Sequence, residues 1–106
     1  MPRKVVVSPQ AEAQIRTIDA WWRRNRRDSP ELFSSELASA FSTLEVAPRT
    51  GKPFLRGKVK GVRRILLPAT RNHVYYLVGT DVVIVLAVWG SVKGSGPDLK
   101  ALEPLT

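Results

Sequence analysis

The spacing of apolar residues changes partway along the chain. Ala11, Ile15, Ile18 and Trp22 follow steps of 4, 3 and 4, and Phe33, Leu37, Ala40, Phe41 and Leu44 continue in the same rhythm. Steps of three and four place each set on one stripe of a helix, so two amphipathic helices are predicted. Beyond residue 61 the rhythm gives way to dense β-branched runs at 62–67, 73–78 and 82–89. Pro68 to Asn72 separate the first two runs, and Gly79-Thr80-Asp81 separate the last two. Short apolar runs bounded by Pro, Gly, Asn and Asp read as strands, and links this short must be hairpins. With a first strand over residues 4–7, the expected fold is α+β. It has an N-terminal strand, a helical hairpin and a three-stranded antiparallel meander, with both helices on one face of the sheet.

Punctuation sharpens these boundaries. Ser8-Pro9 stops the first strand and starts the first helix, with Ser8 as N-cap and Pro9 at the first helical position. Glu12 in the first turn and Arg23, Arg24, Arg26 and Arg27 at the far end both suit the helix dipole. Asp28-Ser29-Pro30 repeats the same grammar, which predicts a second helix from Pro30 to about Val46. Residues 47–61, APRTGKPFLRGKVKG, have no periodicity and read as a long loop. An irregular tail is expected from about 94, with one helical turn near 99–102. The whole chain, 1–106, reads as one domain.

Charge adds a partner class. Seventeen Lys and Arg against nine Asp and Glu give a formal net charge of +8. No acid lies between Glu45 and Asp81, so the loop and the first meander strand should form a basic surface. Such a surface favours an anionic partner: nucleic acid or an acidic protein segment. With no cysteine, disulfides and thiolate metal sites are excluded; a lone histidine excludes a His-based one. No apolar run approaches the roughly 20 residues of a membrane span, so a soluble cytoplasmic protein is expected.

The order strand–helix–helix–strand–strand–strand, together with SPQAEAQIRTIDAWW, GVRRILLP and HVYYLVGTDVVIVLAVWG, resembles the RelE/ParE superfamily of toxins from type II toxin–antitoxin modules. The resemblance spans about residues 4–93 and implies one of two activities. RelE-like members cut messenger RNA on the ribosome without a metal, through attack by the RNA 2′-hydroxyl. That chemistry needs a base, an acid and cations around the phosphorane. Laid on this chain, Arg64, His73 and Lys93 are the catalytic candidates. His73 stands where the family usually carries an arginine, and no Tyr, His or Arg follows Lys93. ParE-like members instead inhibit DNA gyrase and are regarded as lacking a hydrolytic site. The incomplete basic set favours that reading, without a cofactor or metal.

The surface expected to meet the target or another anion comprises Arg56, Lys58, Lys60, Arg63, Arg64, Arg71, Tyr75 and Lys93. Under the resemblance the partners are gyrase, or the ribosome and mRNA, and a cognate acidic antitoxin whose tail folds over the toxin in a hetero-oligomer. Trp21, Phe54 and Leu55 are the expected antitoxin contacts, as large apolar residues in basic surroundings seldom remain bare. A general basic nucleic-acid-binding module is a third reading, resting on charge alone. Neighbouring strand residues face opposite ways, so only one of Arg63 and Arg64, and one of Tyr75 and Tyr76, can share a face.

Overall fold

The computed structural model describes residues 2–91. In chain order the elements are β1 (Lys4–Val7), α1 (Pro9–Asn25), α2 (Leu32–Val46), a 3-10 turn (Pro48–Thr50), β2 (Lys52–Pro53), β3 (Arg63–Leu67), β4 (Asn72–Val78) and β5 (Val82–Gly90). They build one five-stranded sheet in the order β1-β5-β4-β3-β2. The meander β3–β4–β5 is antiparallel, while β1 lies parallel to β5, with Lys4 opposite Val82 and Val7 opposite Val85. Among the described residues no helix is long and apolar enough to cross a membrane.

Both helical stripes pack on one sheet face, as their periodicity requires. Ala11, Phe33, Leu37 and Ala40 are buried against Leu67, Val74, Val85 and Val88, with Ile15, Ile18 and Trp22 closing the edge. Leu44 extends this core onto Tyr76 and Val83. Phe33 is wholly buried, which is worth on the order of 2 kcal/mol relative to exposure. The opposite face is not bare. Val62, Tyr75, Leu86 and Ala87 are buried there beneath Phe54 and Val59 from the long loop, beside Leu77, Ile84 and Trp89.

A β-bulge in β5 decides which residues serve which face. Tyr75 pairs with Ala87 but Tyr76 with Val85, leaving Leu86 as the extra residue. Val83 and Val85 therefore point to the helices, Leu86 and Ala87 both point away, and Val88 returns to the helical side. Ser8 ties the start of α1 to this irregularity. Its N–H donates to the Val85 carbonyl at 2.9 Å, its hydroxyl donates to the Leu86 carbonyl at 3.1 Å, and the same oxygen accepts from Ala11 N–H. One turn on, Gln14 Oε1 accepts from Val88 N–H at 2.9 Å. Side chains of α1 thus satisfy the edge of β5 where the shorter β1 has ended.

Two expectations need correction. Ser29 does not cap α2: the helix starts at Leu32 with Glu31 at the cap position and no side-chain cap bond. Leu32 N–H donates to the Ser29 carbonyl at 3.2 Å, so a tight turn containing Pro30 occupies what periodicity assigned to the first helical turn. The loop at 47–61 also contains order. Its 3-10 turn leads into β2, which pairs with β3 through Lys52–Arg64 and Pro53–Arg63. A two-residue strand has no periodicity to read, and its proline is tolerated because β2 lies at the sheet edge. The tail expected from about 94 lies outside the described residues.

Candidate functional site

The sheet face away from the helices carries an aromatic and basic cluster. β3 and β4 bring Arg64 opposite Tyr75 and Leu66 opposite His73. The Arg64 guanidinium carbon stands 5.2 Å from the Phe54 ring centre and 6.0 Å from that of Tyr75. Its Nη1 is 3.4 Å from the Tyr75 hydroxyl. Phe54 meets Tyr75 edge-on at 5.0 Å, and His73 meets Tyr75 edge-on at 6.0 Å. Each cation–ring contact at a partly exposed site is worth about 0.5–1 kcal/mol, enough to hold the guanidinium over the rings. Leu66, 47% exposed, flanks the cluster.

Burial pushes the His73 imidazole below the ordinary histidine range, and the positive charge of Arg64 lowers it further. The imidazole is therefore neutral at pH 7. The cluster presents one fixed cation, one neutral proton acceptor and an apolar aromatic floor, a combination suited to holding an anionic or planar group. Among the described residues no group of three or more His, Asp or Glu is placed to hold a metal.

The remaining predicted residues disperse around this cluster. Arg63 turns away from it: Nη1 donates to the Gly51 carbonyl at 2.7 Å and more weakly to the Arg49 carbonyl at 3.4 Å. It clamps the turn before β2. Tyr75 is only 2% exposed and forms the floor of the cluster rather than an open stacking platform. Arg56, Lys58 and Lys60 are exposed on the loop before β3, which Gly57 (φ 90°) and Gly61 (φ 81°) bend through the left-handed region. Arg71 is exposed at the other end of β3, so the five residues of that strand, roughly 16 Å, stand between it and the loop cations. Phe54 is half-buried on Tyr75, whereas Leu55 beside it is 91% exposed. Trp21 is 44% exposed at the far end of α1. Lys93 lies outside the described residues.

Two concavities among the described residues lie away from this cluster. One is a cleft of about 570 Å³ at the turn of the helical hairpin, lined by Trp22, Arg24, Arg26, Arg27 and Leu32. Its sequence signal was the run of arginines after Trp22; the contribution of Leu32 had none. The other is a groove of about 280 Å³ between α1 and β5, lined by Gln14, Ile18, Asn72 and Val88. No local pattern announces it, because it exists only once β5 lies under α1.

Comparison with solved structures finds this fold in toxin–antitoxin systems. The chromosomal ParDE system of P. aeruginosa superposes with a TM-score of 0.65 at 15% identity, over 83% of this chain and 95% of that one. The RelBE2 toxin–antitoxin complex of Mycobacterium tuberculosis superposes with a TM-score of 0.62 at 20% identity, over 86% and 94% respectively. At such identities the likeness is one of fold. No curated protein sequence matches significantly. The sequence profile described as the ParE toxin of the type II toxin–antitoxin system, parDE, matches residues 5–92. That match takes in both helices and all of the sheet but the first residue of β1, and the chain belongs to the ParE toxin family of type II toxin–antitoxin systems.

Proposed function

We propose that this toxin inhibits DNA gyrase in the cytoplasm and is neutralised by a cognate acidic antitoxin. The composition of the open-face cluster carries the reading. Cleavage by a 2′-hydroxyl needs a base, an acid and cations gathered at one phosphate. The cluster offers one guanidinium already engaged by two rings, one neutral imidazole and a buried phenol. Arg63, the neighbouring cation in sequence, spends its hydrogen bonds on backbone carbonyls. Such a face is better equipped to bind than to hydrolyse. The similar structures are toxin–antitoxin complexes, which supports an antitoxin partner. The target contacts assigned to this face are Arg64, His73 and the loop cations Arg56, Lys58 and Lys60, with Leu55 available to the antitoxin.

One observation favours a second reading, a RelE-like ribonuclease: the neutral His73 shares an aromatic floor with Arg64, a base near a cation. The deciding experiment induces the protein without antitoxin in a bacterial host carrying a DNA-damage reporter. Reporter induction and filamentation during continued protein synthesis is the expected result. Immediate translation arrest without the reporter would establish the ribonuclease instead, and unchanged growth at confirmed soluble expression would remove the toxin activity in that host.

A further inference from the structure

The turn of the helical hairpin carries a second basic surface, built differently from the open face. Arg26 places its guanidinium carbon 5.6 Å from the Trp21 ring centre and 5.8 Å from that of Trp22, and the two indoles meet edge-on at 5.7 Å. Arg23 is ion-paired to Asp19 at 2.9 Å, but Arg24, Arg26 and Arg27 form no ion pair among the described residues. These three cations line the cleft with Trp22 and Leu32 against a single acid, Asp28. Leu32 is 36% exposed and Trp21 44%, so apolar surface and unpaired positive charge lie side by side. Nothing in the open-face cluster uses them.

We infer that this cleft docks an acidic segment of the cognate antitoxin, one that carries a large apolar side chain between carboxylates. The inference rests on the toxin having such an antitoxin and is independent of what the toxin acts on. The apolar wall decides for a peptide over a phosphate backbone, which binds through charge and brings no apolar side chain to cover Trp22 and Leu32. A peptide can seat one side chain against Trp22 and Leu32 while flanking carboxylates meet Arg24 and Arg27. The Trp21–Arg26 stack is already ordered, so little side-chain freedom remains to be lost on binding. Tryptophan and arginine, which meet in this cleft, are residue types that dominate binding energy at protein interfaces. The site is remote in sequence from Arg64 and His73, so the antitoxin can be gripped here whichever part of it covers the open face.

The test uses the full-length toxin and its cognate antitoxin, sought as a small acidic reading frame beside the gene. Calorimetry measures affinity for the wild type and for the double variant R24E/R27E, and for W21A. Two-dimensional nitrogen-correlated spectra follow the indole N–H signals of the three tryptophans. On binding, the Trp21 and Trp22 indoles should shift. R24E/R27E should weaken binding at least tenfold with unchanged thermal melting, and W21A by a similar factor. Growth arrest by R24E/R27E should persist but escape rescue by the antitoxin. Wild-type affinity in R24E/R27E, with the melting temperature preserved, would overturn the inference. Equally, Trp21 and Trp22 indoles that shift with a DNA duplex but not with the antitoxin would assign the cleft to nucleic acid. A wild-type toxin that fails to arrest growth yet shows these binding results would refute the gyrase reading and leave this one standing.

Discussion

The Tyr76 hydroxyl accepts a hydrogen bond from Gly51 N–H at 2.9 Å and donates one to the Pro48 carbonyl at 2.7 Å. Through these two bonds a core tyrosine of β4 holds the turn between α2 and β2, the turn that Arg63 grips from its other side. A Cβ at Gly51 would collide with that hydroxyl and stand 2.8 Å from the Arg64 carbonyl oxygen, so the backbone can approach only without a side chain. Burial pushes the Tyr76 phenol above its ordinary range, and it stays protonated at physiological pH.

Removing the hydroxyl leaves the Gly51 N–H without its partner in a buried site. Tyr76→Phe should cost about 1–3 kcal/mol of stability, seen as a lower urea midpoint with unchanged slope. Gly51→Ala should cost at least as much, because the collision involves backbone that cannot yield. The double variant Gly51→Ala/Tyr76→Phe should cost less than the sum of the two, as the smaller ring edge relieves part of the overlap.

Glu36 reaches from α2 to the β3–β4 turn and accepts three hydrogen bonds: from Ala69 N–H at 2.6 Å, Thr70 N–H at 3.1 Å and Thr70 Oγ1 at 2.7 Å. Bonds to a carboxylate are stronger than neutral ones. Glu36→Ala should destabilise by roughly 2 kcal/mol, whereas Glu36→Gln should retain part of this because one amide oxygen still accepts. Hydrogen exchange at Ala69 and Thr70 should accelerate in both.

Arg71 sits in the same turn at φ 62°, a left-handed backbone that costs a β-carbon-bearing residue about 1 kcal/mol. Arg71→Asn should leave stability unchanged or raise it by a few tenths of a kcal/mol, and Arg71→Val should lower it by about 1–2 kcal/mol. Thermal melting of the two variants checks the order. If Arg71 serves target binding, both should weaken toxicity equally despite their opposite effects on stability.

His73 supplies a pH dependence. Because burial, and then Arg64, lower its folded-state pKa, the unfolded chain takes up the proton first as pH falls. Its contribution to stability is complete above the ordinary value of about 6.5 and is lost as pH drops from there through the folded-state value. The stability lost between pH 7.5 and 5.5 should be smaller in His73→Asn than in the wild type. Arg64→Ala should reduce the loss less, since burial is the larger cause.

What the sequence determined by itself was whatever depends on neighbours in the chain. Steps of three and four residues drew both helical stripes, Ser8-Pro9 marked the start of α1, and β-branched runs between turn residues marked β3, β4 and β5. The family was legible in the same way, from motifs spread over those elements. Strand alternation also separated Arg63 from Arg64, but not which of them would meet the aromatic rings. That required knowing that Gly51 lies beside one and Phe54 beside the other. The parallel seat of β1 on β5, the bulge at Leu86 and the groove between α1 and β5 were likewise decided only in three dimensions. Each depends on which edges and faces come together from distant parts of the chain. Local periodicity sets the face a residue presents, but what that face meets is a property of the packed molecule.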